Sequence, residues 1–230
     1  MTDIKKLLKF DLKFLKGYYK SYIFIALFML FVFGNMVFNM GALILAFYYS
    51  LDTDENYKKV NSLVQTLPIN NKEYISYKYI SSFMQLILIL IMFLIATILI
   101  LISEKISTLN SDIFLLSWVS NHIIKGNGIQ ANYFIRFVTE LFMAIVTICV
   151  IIPTKYNKSK KQRVLTWLIL LFVNSMVGTC LTKDYTWVIF DILSKFNEIF
   201  IVLLEIVLSH FFIKISFNKS LQLYTKSEII

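Results

Sequence analysis

The sequence predicts an all-α polytopic membrane protein with six transmembrane helices, from its composition, its charge-free stretches and the placement of its lysines. Of the 230 residues, 58% are hydrophobic and only 16% are charged, whereas soluble domains average about 25% charged residues. Charge-free stretches long enough to cross a bilayer alternate with short lysine-rich segments. This composition excludes an ordinary soluble domain and an intrinsically disordered chain.

Residues 1–20 are predicted to form a basic amphipathic helix and not a cleavable signal peptide. Leu7, Leu8 and Leu15 share one face of this helix, and lysines occupy the other. A helix of this kind lies in the headgroup plane of the anionic cytoplasmic leaflet. Asp11 interrupts the apolar face, where it either contacts a partner chain or reaches back to the headgroups.

The predicted spans are stretches with few or no charges, because a helix needs about 20 apolar residues to cross about 30 Å of hydrocarbon. Residues 21–51 carry no charge and form either one long tilted helix or a hairpin of two short ones. The hairpin places 18 basic residues inside and 5 outside, whereas a single helix places 11 inside and 12 outside. The positive-inside rule therefore favours the hairpin, with both termini cytoplasmic. The six predicted spans are 18–34, 36–52, 79–103, 134–154, 164–182 and 197–217.

Two loops, 105–133 and 183–198, are predicted to be extracytoplasmic. Each contains an apolar stretch, 113–124 or 185–196, that is too short to span a bilayer. We expect each stretch to form a short amphipathic helix at the outer interface, a depth that suits Trp118.

Motifs for catalysis, nucleotide binding or metal binding are missing from the sequence. The six glycines form no phosphate-binding loop, and the two histidines form no zinc-protease motif. Cys149 and Cys180 are isolated and form no metal-binding pair. The net charge of +9 reflects the cytoplasmic bias of lysine in membrane proteins and does not indicate nucleic-acid binding. We therefore expect no enzyme activity, cofactor or metal site in this chain.

The segment 53–78, between the second and third predicted spans, has the most distinctive pattern. Asp54–Glu55 lies at the start of a short predicted helix, where carboxylates favour the helix dipole. An apolar stripe follows along this helix, and Pro68 ends it. Asn70 then caps the next helix, with Glu73 three residues later as a capping box. The pattern predicts a cytoplasmic amphipathic helix connected stiffly to a span, and a solvated loop helix is the alternative.

Four short motifs follow one another in order along the chain. The first three are an acidic pair, a Leu-Pro-x-x-x-x-Glu element with a basic residue before its acid, and a Tyr-Lys-Tyr triplet. The fourth is a proline followed by a basic turn at the end of the fourth span. These motifs are Asp54–Glu55, Leu67–Glu73 with Lys72, Tyr77–Tyr79 and Pro153–Arg163. With the N-terminal helix and the paired first spans, this order resembles the ABC-2-type permease family of ABC transporters over nearly the whole chain.

The resemblance implies a transport subunit of a bacterial cell membrane. Two separate ATP-binding cassette subunits would hydrolyse ATP with Mg, and a second permease, identical or paralogous, would complete the pathway. The most similar permeases export amphipathic peptides such as phenol-soluble modulins, and relatives act on antimicrobial peptides. A non-pumping membrane immunity or sensor protein that binds such peptides is the alternative from another class. The residues implied to contact the ATPase are Asp54, Glu55, Tyr57, Leu63, Val64 and Leu67.

Charged residues within the predicted spans are a second set of candidates, because charges in lipid are costly and usually face a bundle interior. Arg136 and Glu140 are four residues apart near the outer end of the fourth span and can pair. Glu205 lies in the middle of the sixth span, five residues before His210. These residues either form a polar lining or gate for cationic amphipathic cargo, or hold helices together.

Overall fold

The described part of the chain, in this computed structural model, is helical apart from three short connections. The connections are Asp54, residues 69–70 and Tyr156, and no described residue lies in a strand. The all-α prediction is therefore confirmed for the residues that the structure describes. These residues are 5–9, 11, 20, 40–55, 59, 62, 69–109, 133–156, 160–180 and 198–228.

Five helices make up most of this described part. They are α1 (Met40–Thr53), α2 (Asn71–Leu109), α3 (Tyr133–Lys155), α4 (Lys160–Cys180) and α5 (Glu198–Glu228). α2 contains 39 residues and α5 contains 31, so both continue beyond the predicted spans 79–103 and 197–217. The additional turns carry charged residues that do not suit lipid. They are still helical, because the hydrogen bonds of a helix form between backbone groups.

Three described segments are long enough and apolar enough to cross a membrane, which indicates a multi-pass membrane protein. These segments are Asn71–Ile91, Val138–Lys155 and Ile199–Lys226. α1 is also apolar but has only 14 residues, or about 21 Å at 1.5 Å per residue. The total of six spans stays a prediction, because the first predicted span, apart from Lys20, and both predicted external helices lie outside the described residues.

α3 occupies the centre of the bundle and packs against the other four helices. Met40, at the start of α1, bonds to Glu140 of α3, whereas Tyr48, near the end of α1, lies under Lys155 at the end of α3. α1 therefore runs parallel to α3. Ring contacts pair α5 with α3 in the same order along both helices, so α5 is also parallel to α3. Ring contacts of α2 with α5, and of α4 with α1, show that α2 and α4 run in the opposite direction.

One end of the bundle, here called the lysine-rich end, contains the end of α1, the start of α2, the turn between α3 and α4, and the end of α5. These are the segments for which the charge count predicts a common, cytoplasmic side. The basic residues of this end include Lys72, Lys78, Lys155, Lys161, Lys219 and Lys226. The starts of α1, α3 and α5 lie at the opposite end.

The N-terminal helical residues pack on the start of α2. Leu7 belongs to the buried core and is 5% exposed, whereas the neighbouring lysines of residues 5–9 are exposed. Asp11 is also buried, and it accepts a hydrogen bond from Ser81 Oγ of α2 at 3.1 Å. Asp11 thus contacts the chain's own α2, which differs from both alternatives that the sequence left open.

Candidate functional site

Segment 53–78 contains the predicted coupling helix. The structure describes residues 53–55, 59, 62 and 69–78 of this segment. α1 ends in a turn in which the Asp54 amide N–H donates to the Leu51 carbonyl oxygen at 3.3 Å. Glu55, Lys59 and Ser62 are helical and exposed, as the predicted helix requires. Four predicted contact residues lie outside the described residues: Tyr57, Leu63, Val64 and Leu67.

The start of α2 is fixed by the cap that the sequence predicts. The Asn70 side-chain Oδ1 accepts the backbone N–H of Lys72 at 3.0 Å, and its carbonyl oxygen accepts the N–H of Tyr74 at 2.9 Å. Glu73 lies in the first turn, where its carboxylate favours the helix dipole. The Asn70 half of the predicted capping box is confirmed, and α2 continues from it without a break into the apolar segment.

Buried tyrosines connect this start of α2 to α5 and to the turn between α3 and α4. Tyr74 is 2% exposed, and its ring stacks on the Tyr224 ring of α5 with centroids 4.8 Å apart. The Tyr224 ring meets the Tyr156 ring edge-on at 5.4 Å. Such aromatic pairs add about 0.5–1.5 kcal/mol beyond the burial of their area. Burial, followed by the neighbouring tyrosines, raises the pKa of Tyr156 well above its ordinary value of 10.0.

A hydroxyl network lies one to two turns further along α2. The Tyr79 hydroxyl is 2.5 Å from Ser216 Oγ and 3.1 Å from Ser220 Oγ, both on α5. Ser216 Oγ in turn donates to the Cys149 carbonyl oxygen of α3. Because all four residues are buried, this network joins α2, α5 and α3 in a part of the bundle that water does not reach.

Two lysines place their ammonium groups over tyrosine rings at the lysine-rich end. Lys78 Nζ lies 4.8 Å from the centroid of the Tyr77 ring, and Lys155 Nζ lies 4.1 Å from that of Tyr48. Cation–π contacts within about 6 Å are attractive by about 0.5–2 kcal/mol, depending on desolvation. These contacts offset part of the cost of bringing the two ammonium groups against the protein.

Glu140 is 4% exposed and its Oε2 accepts the backbone N–H of Met40 at 3.3 Å. Met40 is the first residue of α1 that the structure describes. The carboxylate therefore caps the described start of a helix that lies 100 positions away in sequence. This contact favours the role of holding helices together over that of a gate. The side chain of Arg136, the predicted partner of Glu140, lies outside the described part.

A second polar contact lies beside this cap, between α1, α3 and α4. The Asn174 amide of α4 donates to Thr147 Oγ1 of α3 at 3.0 Å and to the Leu170 carbonyl oxygen at 2.8 Å. Gly41 of α1 approaches Asn174 so closely that a Cβ atom there would lie 2.7 Å from Asn174 Cγ. A glycine, an amide and a hydroxyl thus let three helices meet at short range.

Glu205 and His210 are close in the sequence, but their side chains lie in different surroundings. Glu205 Oε1 accepts a hydrogen bond from Thr139 Oγ1 of α3 at 2.9 Å, and its buried Oε2 has no hydrogen-bond partner among the described residues. His210 is exposed. A separation of five residues turns two side chains about 140° apart on a helix, so the structure does not bring them together.

Sequence reasoning missed three residues that join helices: Ser216, Ser220 and Gly41. Ser216 and Ser220 lie four residues apart on one face of α5, a spacing that indicates a polar contact within an apolar helix. Gly41 gave a similar local signal, because small residues mark close helix packing in membranes. No local signal pairs Ser216 with Tyr79, or Gly41 with Asn174, since these partners are far apart in the sequence.

Comparison of the chain with protein-family models, with curated proteins and with solved structures finds no match.

Proposed function

We propose that the chain is a permease subunit of an ATP-driven ABC exporter, in which separate subunits hydrolyse ATP. Two such permeases, identical or paralogous, would form the pathway for amphipathic or hydrophobic peptides such as phenol-soluble modulins or antimicrobial peptides. The coupling helix of segment 53–78 would lie in a groove of the ATPase, on the cytoplasmic side of a bacterial cell membrane. The external loops would close the outer mouth.

The observation that carries this proposal is the continuous α2 helix. It begins at a cap on Asn70, after the predicted coupling helix in the sequence, and its first turns are buried against α5 and the turn between α3 and α4. A displacement of the segment that precedes Asn70 would therefore move a rigid helix and its neighbours, not a slack loop. This is the mechanical connection that a subunit driven by a separate ATPase requires.

Charge supports a protein partner for the coupling helix over a lipid one. Glu55 is exposed at the start of the helix, and an anionic cytoplasmic leaflet repels carboxylates. The predicted apolar stripe with Tyr57 nevertheless needs a surface to cover it, and large aromatic side chains are typical anchors of protein interfaces. A groove in an ATPase subunit satisfies both conditions.

Co-purification from the native membrane tests this proposal. The chain should retain an ATPase subunit, and replacing both Tyr57 and Leu63 by alanine should weaken that association or leave ATP hydrolysis running without export. Ser62→Ala is the matched control, because Ser62 is exposed, donates back to the Lys59 carbonyl oxygen, and lies opposite the predicted apolar stripe at helical spacing. The Ser62 variant should keep full association.

Two outcomes would overturn the coupling assignment. One is recovery of the chain without any ATPase subunit, and the other is unchanged association and export in the Tyr57 and Leu63 double variant. Either result would favour the non-pumping immunity or sensor protein, which needs a peptide-binding surface but no coupling helix.

A further inference from the structure

One face of α5 carries an unbroken row of polar side chains. The row repeats every fourth residue, so its members follow one another along the helix surface with a rotation of about 40° per step. All five members are exposed: His210, Lys214, Asn218, Gln222 and Lys226. Each of them can donate a hydrogen bond, and none is a carboxylate. The three that lie furthest from the lysine-rich end, His210, Lys214 and Asn218, are called the α5 donor row.

The α5 donor row lies on the side of α5 opposite to its contacts with α2 and α3. The residues of α5 that make those contacts form a second row with the same spacing: Ser216, Ser220 and Tyr224. The two rows are two residues out of step along the helix, and two residues correspond to a rotation of about 200°. The contacts within the bundle therefore leave the donor row on the exposed side of the helix.

The α5 donor row also extends from the lysine-rich end into the apolar part of the bundle. Ser216 bonds to Tyr79, the residue at which the charge-free stretch 79–103 of α2 begins. At 1.5 Å per residue, Lys214 lies about 3 Å deeper than Ser216, and His210 lies about 9 Å deeper. The long side chain of a lysine at this depth reaches back to the headgroups. The shorter side chain of His210 does not, and a histidine at such a depth is costly without a polar partner.

Beyond Lys214, the same face of α5 becomes apolar towards the middle of the membrane. Phe200, Leu203 and Val207 are 52%, 56% and 64% exposed, and they lie within about 40° of Lys214 around the helix axis. Donors near the headgroup layer and an apolar surface beneath them match the two parts of a phospholipid, whose phosphate oxygens accept hydrogen bonds and whose acyl chains are apolar.

The charge of the row favours an anionic occupant. A second copy of the chain packed on this face about a two-fold axis would bring Lys214 against its own equivalent, and like charges in an interface are repulsive. A cationic peptide would be repelled for the same reason. The cytoplasmic leaflet, in contrast, is anionic and attracts lysines at its surface. Phosphate oxygens form charge-assisted hydrogen bonds with ammonium groups.

We propose that the α5 donor row binds an anionic phospholipid of the leaflet at the lysine-rich end. Lys214 and Asn218 hold the phosphate. His210, one turn deeper, donates to an ester carbonyl oxygen at the point where the acyl chains begin, and the chains lie along the apolar surface beneath it. This site requires neither an ATPase nor a cargo, so it is independent of the proposed function.

Native mass spectrometry of the full chain tests this proposal. The purified chain is titrated in detergent with phosphatidylglycerol or with phosphatidylcholine of the same acyl chains, and the wild type should bind the first phosphatidylglycerol more tightly. Lys214→Gln should weaken this binding about fivefold, the effect of one lysine at an anionic lipid surface. Lys219→Gln is the matched control, because it removes the same charge from an exposed position about 140° around the helix, and it should leave the affinity unchanged. Equal affinities for the two lipids, or equal losses in the two variants, would overturn the proposal.

A chemical change in the lipid isolates the contribution of His210. His210→Phe keeps a ring but removes both nitrogens, and it should weaken binding of the ester-linked phosphatidylglycerol. It should not affect an ether-linked phosphatidylglycerol, which has no carbonyl oxygens, and the same loss with both lipids would contradict this contact. If Lys214→Gln instead removed a dimer from the spectra and left lipid binding unchanged, the row would be an interface between copies of the chain and the lipid site would be wrong.

Discussion

Replacing Gly41 by alanine is expected to disrupt the contact between α1 and α4. A Cβ atom at this position would overlap Asn174 Oδ1 and lie 2.7 Å from Asn174 Cγ and 3.0 Å from Thr147 Oγ1. Asn174 is fully buried, and its amide donates two hydrogen bonds, to Thr147 and to the Leu170 carbonyl oxygen. The new methyl group must therefore displace a side chain that is held on both sides.

The expected loss in free energy of unfolding is about 1–2 kcal/mol, from two opposing effects. Hydrogen bonds in membrane bundles average about 0.6 kcal/mol and reach about 1.7 kcal/mol, so weakening two of them costs about 1–3 kcal/mol. Alanine recovers up to about 1 kcal/mol in a helix interior, because glycine loses more backbone entropy on folding.

Unfolding of the purified chain with a denaturing detergent measures this loss, and a double-mutant cycle isolates its cause. Asn174→Ala removes the atoms that the new methyl group meets, so Gly41→Ala should be neutral or slightly stabilising in that background. Ala46→Leu is the size control, because Ala46 lies on the exposed face of the same helix and should tolerate the larger side chain. Equal losses from Gly41→Ala in both backgrounds would refute the reasoning.

The cap on α1, the buried Tyr156 ring and the orientation of the bundle give three further predictions. Glu140→Ala should lower the free energy of unfolding by about 1–3 kcal/mol, because it leaves the Met40 N–H without its acceptor. Glu140→Gln keeps an oxygen acceptor and should lose less, and equal losses would argue against the cap. The raised pKa of Tyr156 means that the folded chain keeps a proton that the unfolded chain releases near pH 10.0. Stability should therefore fall as pH rises through and above about 10, and denaturation of Tyr156→Phe should show a shallower fall. A cysteine at position 160 should react with an impermeant thiol reagent only in opened cells, and labelling in intact cells would overturn the cytoplasmic assignment.

The elements that the sequence predicted well are those whose signals lie within a few residues. Asn70 and Glu73 indicated the start of α2, and the structure places the first helical residue directly after Asn70. The spacing of Leu7 and its neighbouring lysines indicated which face of the N-terminal helix is buried. Capping and amphipathicity are local properties, because they depend on side chains within one or two turns.

The contacts between helices were less predictable, because apolar membrane helices resemble one another in composition. Glu140 was predicted to be able to pair with Arg136 one turn away, and the structure shows it bonded to Met40 of α1, 100 positions along the chain. Asp11 was expected to face a partner chain or the headgroups, and it bonds to Ser81 instead. A polar side chain in an apolar setting signals that it has a partner, but the partner's identity depends on the packing of the whole bundle.

The polar residues of α3 differ in what their contacts hold together, and this difference bears on where a pathway can lie. Thr139 bonds to Glu205 of α5, a helix that α3 follows along its whole length. Glu140 and Thr147 instead bond to residues of α1 and α4. In hydrocarbon, polar groups line a pathway only where helices part and water enters. The bonds of Glu140 and Thr147 hold α3 against two neighbouring helices, which is the role of joining helices. Glu205 differs, because its buried Oε2 has no hydrogen-bond partner among the described residues. Of the two acids, Glu205 therefore remains the candidate for a polar lining of a pathway.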